Sequence, residues 1–218
     1  MRLWILFAAF VGSVCPSTAW AQVPGNCEVR TAEAAGQPGC YLLSAIVVGM
    51  PGPRAYWHID RFATLKAARD AATPASHAAL VFGIAFLQTV NNNPHWRPRG
   101  GRRMAMVGPL PISHPDEAQI ARLMETATTA NMTSSVHVHS GPEAWYLIEG
   151  TQCLETPDNV RRISKGQTSW VEAGPSMQLS KYGGSVRRAL VLVLHPKSRP
   201  WMTMTHSWQP KGKCVPVR

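Results

Sequence analysis

From residue 119 to residue 195 the chain repeats one pattern, in which a short segment rich in apolar or β-branched residues is followed by a turn signal. The segments are 119–126, 136–139, 144–149, 152–155, 168–172, 177–180 and 187–195. Between them stand Gly150, Pro157-Asp158-Asn159, Lys165-Gly166, Gly174-Pro175 and Gly183-Gly184. These residue types supply a positive φ, a fixed φ or a side chain that bonds its own backbone, which is what turns require. Many short strands at even spacing indicate an antiparallel sandwich or barrel. Segment 119–126 is also rich in helix formers, but it leads directly into the strands that follow and is assigned to the sheet. Alternation along 143–148 puts Glu143, Trp145 and Leu147 on the inner face and Tyr146 and Ile148 opposite.

Inside this array lies His137-Val138-His139-Ser140-Gly141-Pro142-Glu143, with Gly150 beyond it. Histidines at i and i+2 of an extended segment point to the same face. The turn at Ser140-Gly141-Pro142 then returns the chain so that Glu143 approaches that face. Two imidazoles and a carboxylate from one hairpin form the facial ligand set that leaves positions open on a first-row metal. His137, His139 and Glu143 are therefore the candidate metal ligands, with no catalytic residue assigned beyond them.

The spacing His137-x-His139-x-x-x-Glu143, then Gly150, resembles the first motif of the cupins. The resemblance covers about residues 117–195 and implies a jelly-roll, or double-stranded β-helix, barrel. It also implies a bound Mn, Fe, Ni, Zn or Cu ion and a homodimer. The family's second motif, Gly, five residues, Pro-x-Gly, two residues, His, falls on Gly166, with Glu172 at the proline, Gly174 at the glycine and Met177 at the histidine. A thioether suits Cu(I), whereas imidazole and oxygen ligands suit Mn, Fe or Ni. Three readings follow: a three-ligand centre with open positions, a barrel without metal, and copper with Met177 as an axial ligand. The three-ligand centre ranks first, with Trp145, Met177 and Leu179 shaping an apolar pocket. The resemblance then implies a metal-dependent enzyme of oxidoreductase or isomerase type acting on a small molecule. The rival is a non-catalytic module that binds or senses one.

The preceding region, 22–116, reads as smaller and α+β. Segments 41–48 and 56–62 are strands, and 64–72 is a short helix opened by Thr64 and closed before Pro74. Segment 78–90 reads as one strand, although its length also fits a helix, Asn91-Asn92-Asn93-Pro94 as a turn, 98–101 as a basic loop and 104–107 as a further strand. The whole is thus mainly β, divided into 1–21, 22–116 and 117–218.

Residues 1–21 have the form of a cleavable secretory signal: Arg2, an apolar run over 3–14, and Ala19-Trp20-Ala21 before Gln22. No later segment reads as a transmembrane span, so a periplasmic or secreted protein is expected. Cys27, Cys40, Cys153 and Cys214 remain, an even number in an oxidising setting. Of three possible pairings, Cys27–Cys40 and Cys153–Cys214 is favoured by proximity and by bracketing of one region. The longer loop would contribute about 4 kcal/mol in the chain-entropy model. The net charge of +10 is dispersed over short basic clusters, without a basic run interleaved with aromatics, so no nucleic-acid partner is expected. His58, His77, His95 and His114 read as ordinary core or surface residues, His195 as a barrel-rim residue. Met202, Met204 and His206 read as an ordinary tail. There is no nucleophile elbow, phosphate-cradling loop or dinucleotide fingerprint.

Overall fold

The computed structural model describes residues 21–23, 27–129, 132–184 and 186–214, so the expected signal segment lies outside it except for its last position. The elements are β1 (Ala21–Val23), β2 (Glu28–Val29), β3 (Gly39–Gly49), β4 (Arg54–Phe62), α1 (Leu65–Asp70), β5 (Ser76–Val81), β6 (Ile84–Asn91), β7 (Arg102–Pro111), β8 (Gln119–Thr128), β9 (Met132–Ser134), β10 (His137–His139), β11 (Glu143–Glu149), β12 (Thr151–Glu155), β13 (Val160–Ser164), β14 (Thr168–Val171), β15 (Gln178–Tyr182), β16 (Arg187–Pro196) and β17 (Met202–Met204). None of the helices is long and apolar enough to cross a membrane.

Eight strands, β8, β9 and β11 to β16, divide between two sheets. One contains the order β14-β11-β16-β8 and the other β9-β15-β12-β13. Counted along the chain, first, eighth, third and sixth are neighbours, as are second, seventh, fourth and fifth: the two interlocked Greek keys of a jelly roll. Met124, Trp145, Leu147, Ala189, Val191 and Val193 from one sheet share a core with Leu154 and Ile163 from the other. The expected barrel is not closed. β3 takes the free edge of β8, and β1 takes that of β9, so the ladder groups that would join the two sheets are already paired. The fold is an open, two-sheet roll.

A third layer covers the outside. The four-stranded sheet β5-β6-β4-β7 packs Trp57, Ile59, Phe86 and Leu110 against Tyr146, Leu190, Leu192 and Leu194. The larger sheet of the roll is therefore buried on both faces, and the apolar run of β16 follows from that. Odd positions from Ala189 to Val193 face the inner core, even positions from Leu190 to Leu194 the outer one. Tyr146 and Ile148 point away from the inner face as expected and pack beneath the third layer.

Strand pairing crosses position 116: β3 runs antiparallel to β8 from Gly39 opposite Ala127 to Gly49 opposite Gln119. Within the region before it, Thr64 caps α1, its Oγ1 accepting from Ala67 N at 3.1 Å. Segment 78–90 is not one strand but the β5–β6 hairpin, turned at Phe82 (φ 48°) and Gly83 (φ 78°). Both central residues have positive φ, as the twist of a two-residue hairpin demands; Phe in the first position hid the turn. His58 is fully buried yet satisfied, facing Asn91 Oδ1 at 3.2 Å and Arg103 Nη1 at 2.8 Å. Burial first, then the Arg103 charge, lower its pKa to about 4.

Both expected disulfides form, with Cα–Cα distances of 4.7 Å for Cys27–Cys40 and 5.6 Å for Cys153–Cys214. The first ties the approach to β2 onto β3, the second ties the chain end onto β12. Trp57 is fully buried between the third layer and the roll. Trp57→Ala is expected to lower unfolding free energy by about 3–5 kcal/mol in a denaturant titration.

Candidate metal centre

The first two ligand candidates sit on β10, a three-residue strand held on both edges. On one side it pairs with β17, placing His137 opposite Met204 and His139 opposite Met202. On the other, His137 exchanges backbone bonds with Met177 at 2.9 and 3.2 Å, and Gly174 N donates to His139 O at 3.1 Å. The turn that follows needs its glycine, because a methyl on Gly141 would overlap the Leu194 carbonyl. Leu194 N donates to Pro142 O at 3.0 Å, which delivers the chain to β11 with Glu143 opposite Val193 of β16. Gly150, at the far end of β11, has φ 73° and would bring a Cβ to 2.5 Å from Val186 O.

The three side chains converge. His139 Nε2 lies 3.0 Å and His137 Nε2 4.0 Å from Glu143 Oε2, and all three residues are buried. The ligand atoms lie within 4.8 Å of one another. Each imidazole is also fixed from behind: His137 Nδ1 is 2.7 Å from Ser135 O, and His139 Nδ1 is 2.7 Å from Trp201 O. A carbonyl oxygen only accepts, so each Nδ1 carries a proton and donates. In the neutral ring this leaves the Nε2 lone pair bare and aimed at Glu143. This is the outer-shell arrangement that orients histidines on a metal. Trp201 also stacks on His139, with ring centroids 5.6 Å apart.

The two histidines titrate differently. For His139, burial favours the neutral form, but the Glu143 charge, its hydrogen bond and the Trp201 carbonyl outweigh it and raise the pKa. For His137, burial dominates over the more distant Glu143, and His139 adds repulsion, so its pKa is lowered.

The triad opens into a cavity of about 700 Å³, its mouth included. Trp145 and Leu179 line it. Met177 does not: it is fully buried and packs in the inner core with Trp145 and Leu147. Lining residues that were not expected include Arg187, Trp201, Met202 and Met204. The Met202-x-Met204 alternation carried a usable signal, since it mirrors His137-x-His139 across an antiparallel pair. His195 is buried, with Nδ1 2.9 Å from Pro196 O, and neither it nor His206 joins the cluster.

No protein-family model matches the chain, and no curated protein sequence matches it. Cupins recur among the solved structures similar to it. A cupin-like protein from Thermotoga maritima shares 8% identity over 39% of this chain and 64% of its own, with a TM-score of 0.36. The DMSP lyase DddQ from Ruegeria pomeroyi shares 18% over 43% of this chain and 45% of its own, with a TM-score of 0.35. The polyketide cyclase RemF from Streptomyces resistomycificus shares 23% over 47% and 72%, also with a TM-score of 0.35. The chain thus spans less than two thirds of the first two. At these values neither an activity nor a ligand passes from those proteins to this one.

Histidine NMR of the metal-free protein should place the His139 midpoint above 6.5 and that of His137 below it. Glu143→Gln should lower the His139 midpoint. Because a ligating imidazole must lose its Nε2 proton, zinc affinity should weaken as pH falls through the raised His139 midpoint, sooner than at an ordinary histidine site.

Proposed function

We propose that the protein is an exported, metal-dependent enzyme acting on a small organic molecule, with His137, His139 and Glu143 holding a divalent first-row metal. The observation that carries this reading is the pair of carbonyl-fixed imidazoles whose Nε2 atoms converge on one buried carboxylate. Without a metal, two imidazoles and a carboxyl group crowd together at the wall of a cavity. The donor set suits Mn, Fe, Ni, Zn or Cu, and such an ion supplies Lewis acidity and open coordination positions.

The remaining residues bind, orient and exclude. Ser135 and Trp201 hold the two rings in one tautomer, and Trp145, Val191 and Leu179 give the cavity an apolar wall that strengthens electrostatic contacts inside it. Among the described residues, the titratable side chains lining the cavity are the triad and Arg187. No separate side-chain acid or base stands beside the triad, which favours metal-centred chemistry of the dioxygenase or isomerase kind. The same shortage supports the second reading, a module that binds a small molecule without turning it over. The signal-like leader and two bonded cysteine pairs support a periplasmic or secreted location.

Metal content tests the reading. Untagged protein purified from the export compartment should carry near-stoichiometric metal, and a folded His137→Ala/His139→Ala variant should carry none. A folded wild-type protein that stays metal-free after reloading contradicts it. Oxygen consumption or substrate turnover by the loaded protein separates the enzyme from the binding module.

A further inference from the structure

The cavity has a second pole. On β16 the inner-face residues are Arg187, Ala189, Val191 and Val193, and Val193 stands opposite Glu143. Arg187 is six residues from Val193 on the same strand, and its side chain lines the same cavity as the triad. Between the poles the wall is apolar: Met124, Trp145, Leu179 and Val191.

Arg187 is only 3% exposed. Its Nη1 donates to Thr126 Oγ1 at 2.8 Å and its Nη2 to Gln152 Oε1, both neutral acceptors, while its Nε has no partner. Among the described residues no carboxylate is in ion-pair contact with it. Glu143 acts on it only through space, and although burial lowers its pKa to about 10 it remains a cation at neutral pH. Thr128, opposite Arg187 in the β8–β16 register, has an unpaired Oγ1, and Ser180 Oγ is likewise unpaired; both line the cavity. A buried guanidinium with no carboxylate in contact, opposite the unpaired Thr128 hydroxyl and in the same cavity as that of Ser180, is a built site for an anion. The planar fork matches a carboxylate.

We propose that the ligand is an unbranched carboxylic acid whose carboxylate sits at Arg187, whose alkyl chain runs along Met124, Trp145 and Val191, and whose far end reaches His137, His139 and Glu143. The far end rests on the metal reading; the carboxylate end does not. A sugar or polyphosphate mismatches the apolar wall.

Isothermal titration calorimetry on the full mature chain, zinc-loaded and zinc-free, tests this with acetate, butyrate, hexanoate, hexanamide and inorganic phosphate. Affinity should rise by roughly tenfold for each two methylenes, and hexanamide should bind at least about tenfold more weakly than hexanoate. Arg187→Met should abolish the preference for the acid over the amide, while an Arg187→Lys variant, which keeps a cation at the pole, should retain part of it. If Arg187→Met does not fold, Thr128→Val tests the same pole and should weaken hexanoate several-fold. Equal binding of acid and amide, an unchanged affinity in the variant that folds, or phosphate binding as tightly as hexanoate overturns the proposal. Zinc binding without carboxylate binding sinks it alone. Arg187-dependent hexanoate binding by a protein that takes up no zinc keeps the carboxylate pole and removes the metal reading.

Discussion

Nine of the ten residues of β16 are buried, because the sheet it lies in is covered on both faces. A strand so placed must be apolar on each side, which accounts for Ala189-Leu190-Val191-Leu192-Val193-Leu194. It also assigns a purpose to the residues ahead of the roll. The sheet of β4 to β7 seals the outer face with Trp57, Ile59, Phe86 and Leu110. With that face closed by packing, the inner face is free to trade apolar residues for chemistry at its two ends, Glu143 at one and Arg187 at the other.

The chain beyond β16 completes the site. Glu155, itself 2% exposed, accepts from Lys211 N at 2.5 Å and Lys213 N at 3.1 Å, and Cys214 is bonded to Cys153 two residues earlier on the same strand. These contacts hold the returning segment against the roll. β17, earlier in the same segment, pairs with β10, and the Trp201 carbonyl just before it fixes the His139 ring. A residue 62 positions from its histidine thus decides which ring nitrogen faces the cavity.

Much of this was legible in the residues. The His137–Glu143 hairpin and the parity of β11 follow from period-two geometry and turn chemistry, and both cysteine pairs were favoured by their proximity and bracketing in sequence. What escaped had weaker local signals. β13 is Val160-Arg161-Arg162-Ile163-Ser164, a solvent-facing edge strand with little apolar content. The roll's failure to close depends on β1 and β3 reaching edges far away in sequence, which no local pattern encodes. Arg187 is adjacent to Arg188 in sequence, and the register opposite Thr128 turns it inward while Arg188 meets Glu149 at 2.9 Å.

The coordination sphere itself is the most direct measure of the centre. X-ray absorption at the metal edge of the protein as isolated should show nitrogen and oxygen scatterers at about 2.0–2.2 Å, with the outer-shell pattern of two imidazoles and no sulfur. A shell dominated by sulfur, drawn from Met202 and Met204 across the β10–β17 pair, or a shell without imidazole, would contradict a centre built from His137, His139 and Glu143.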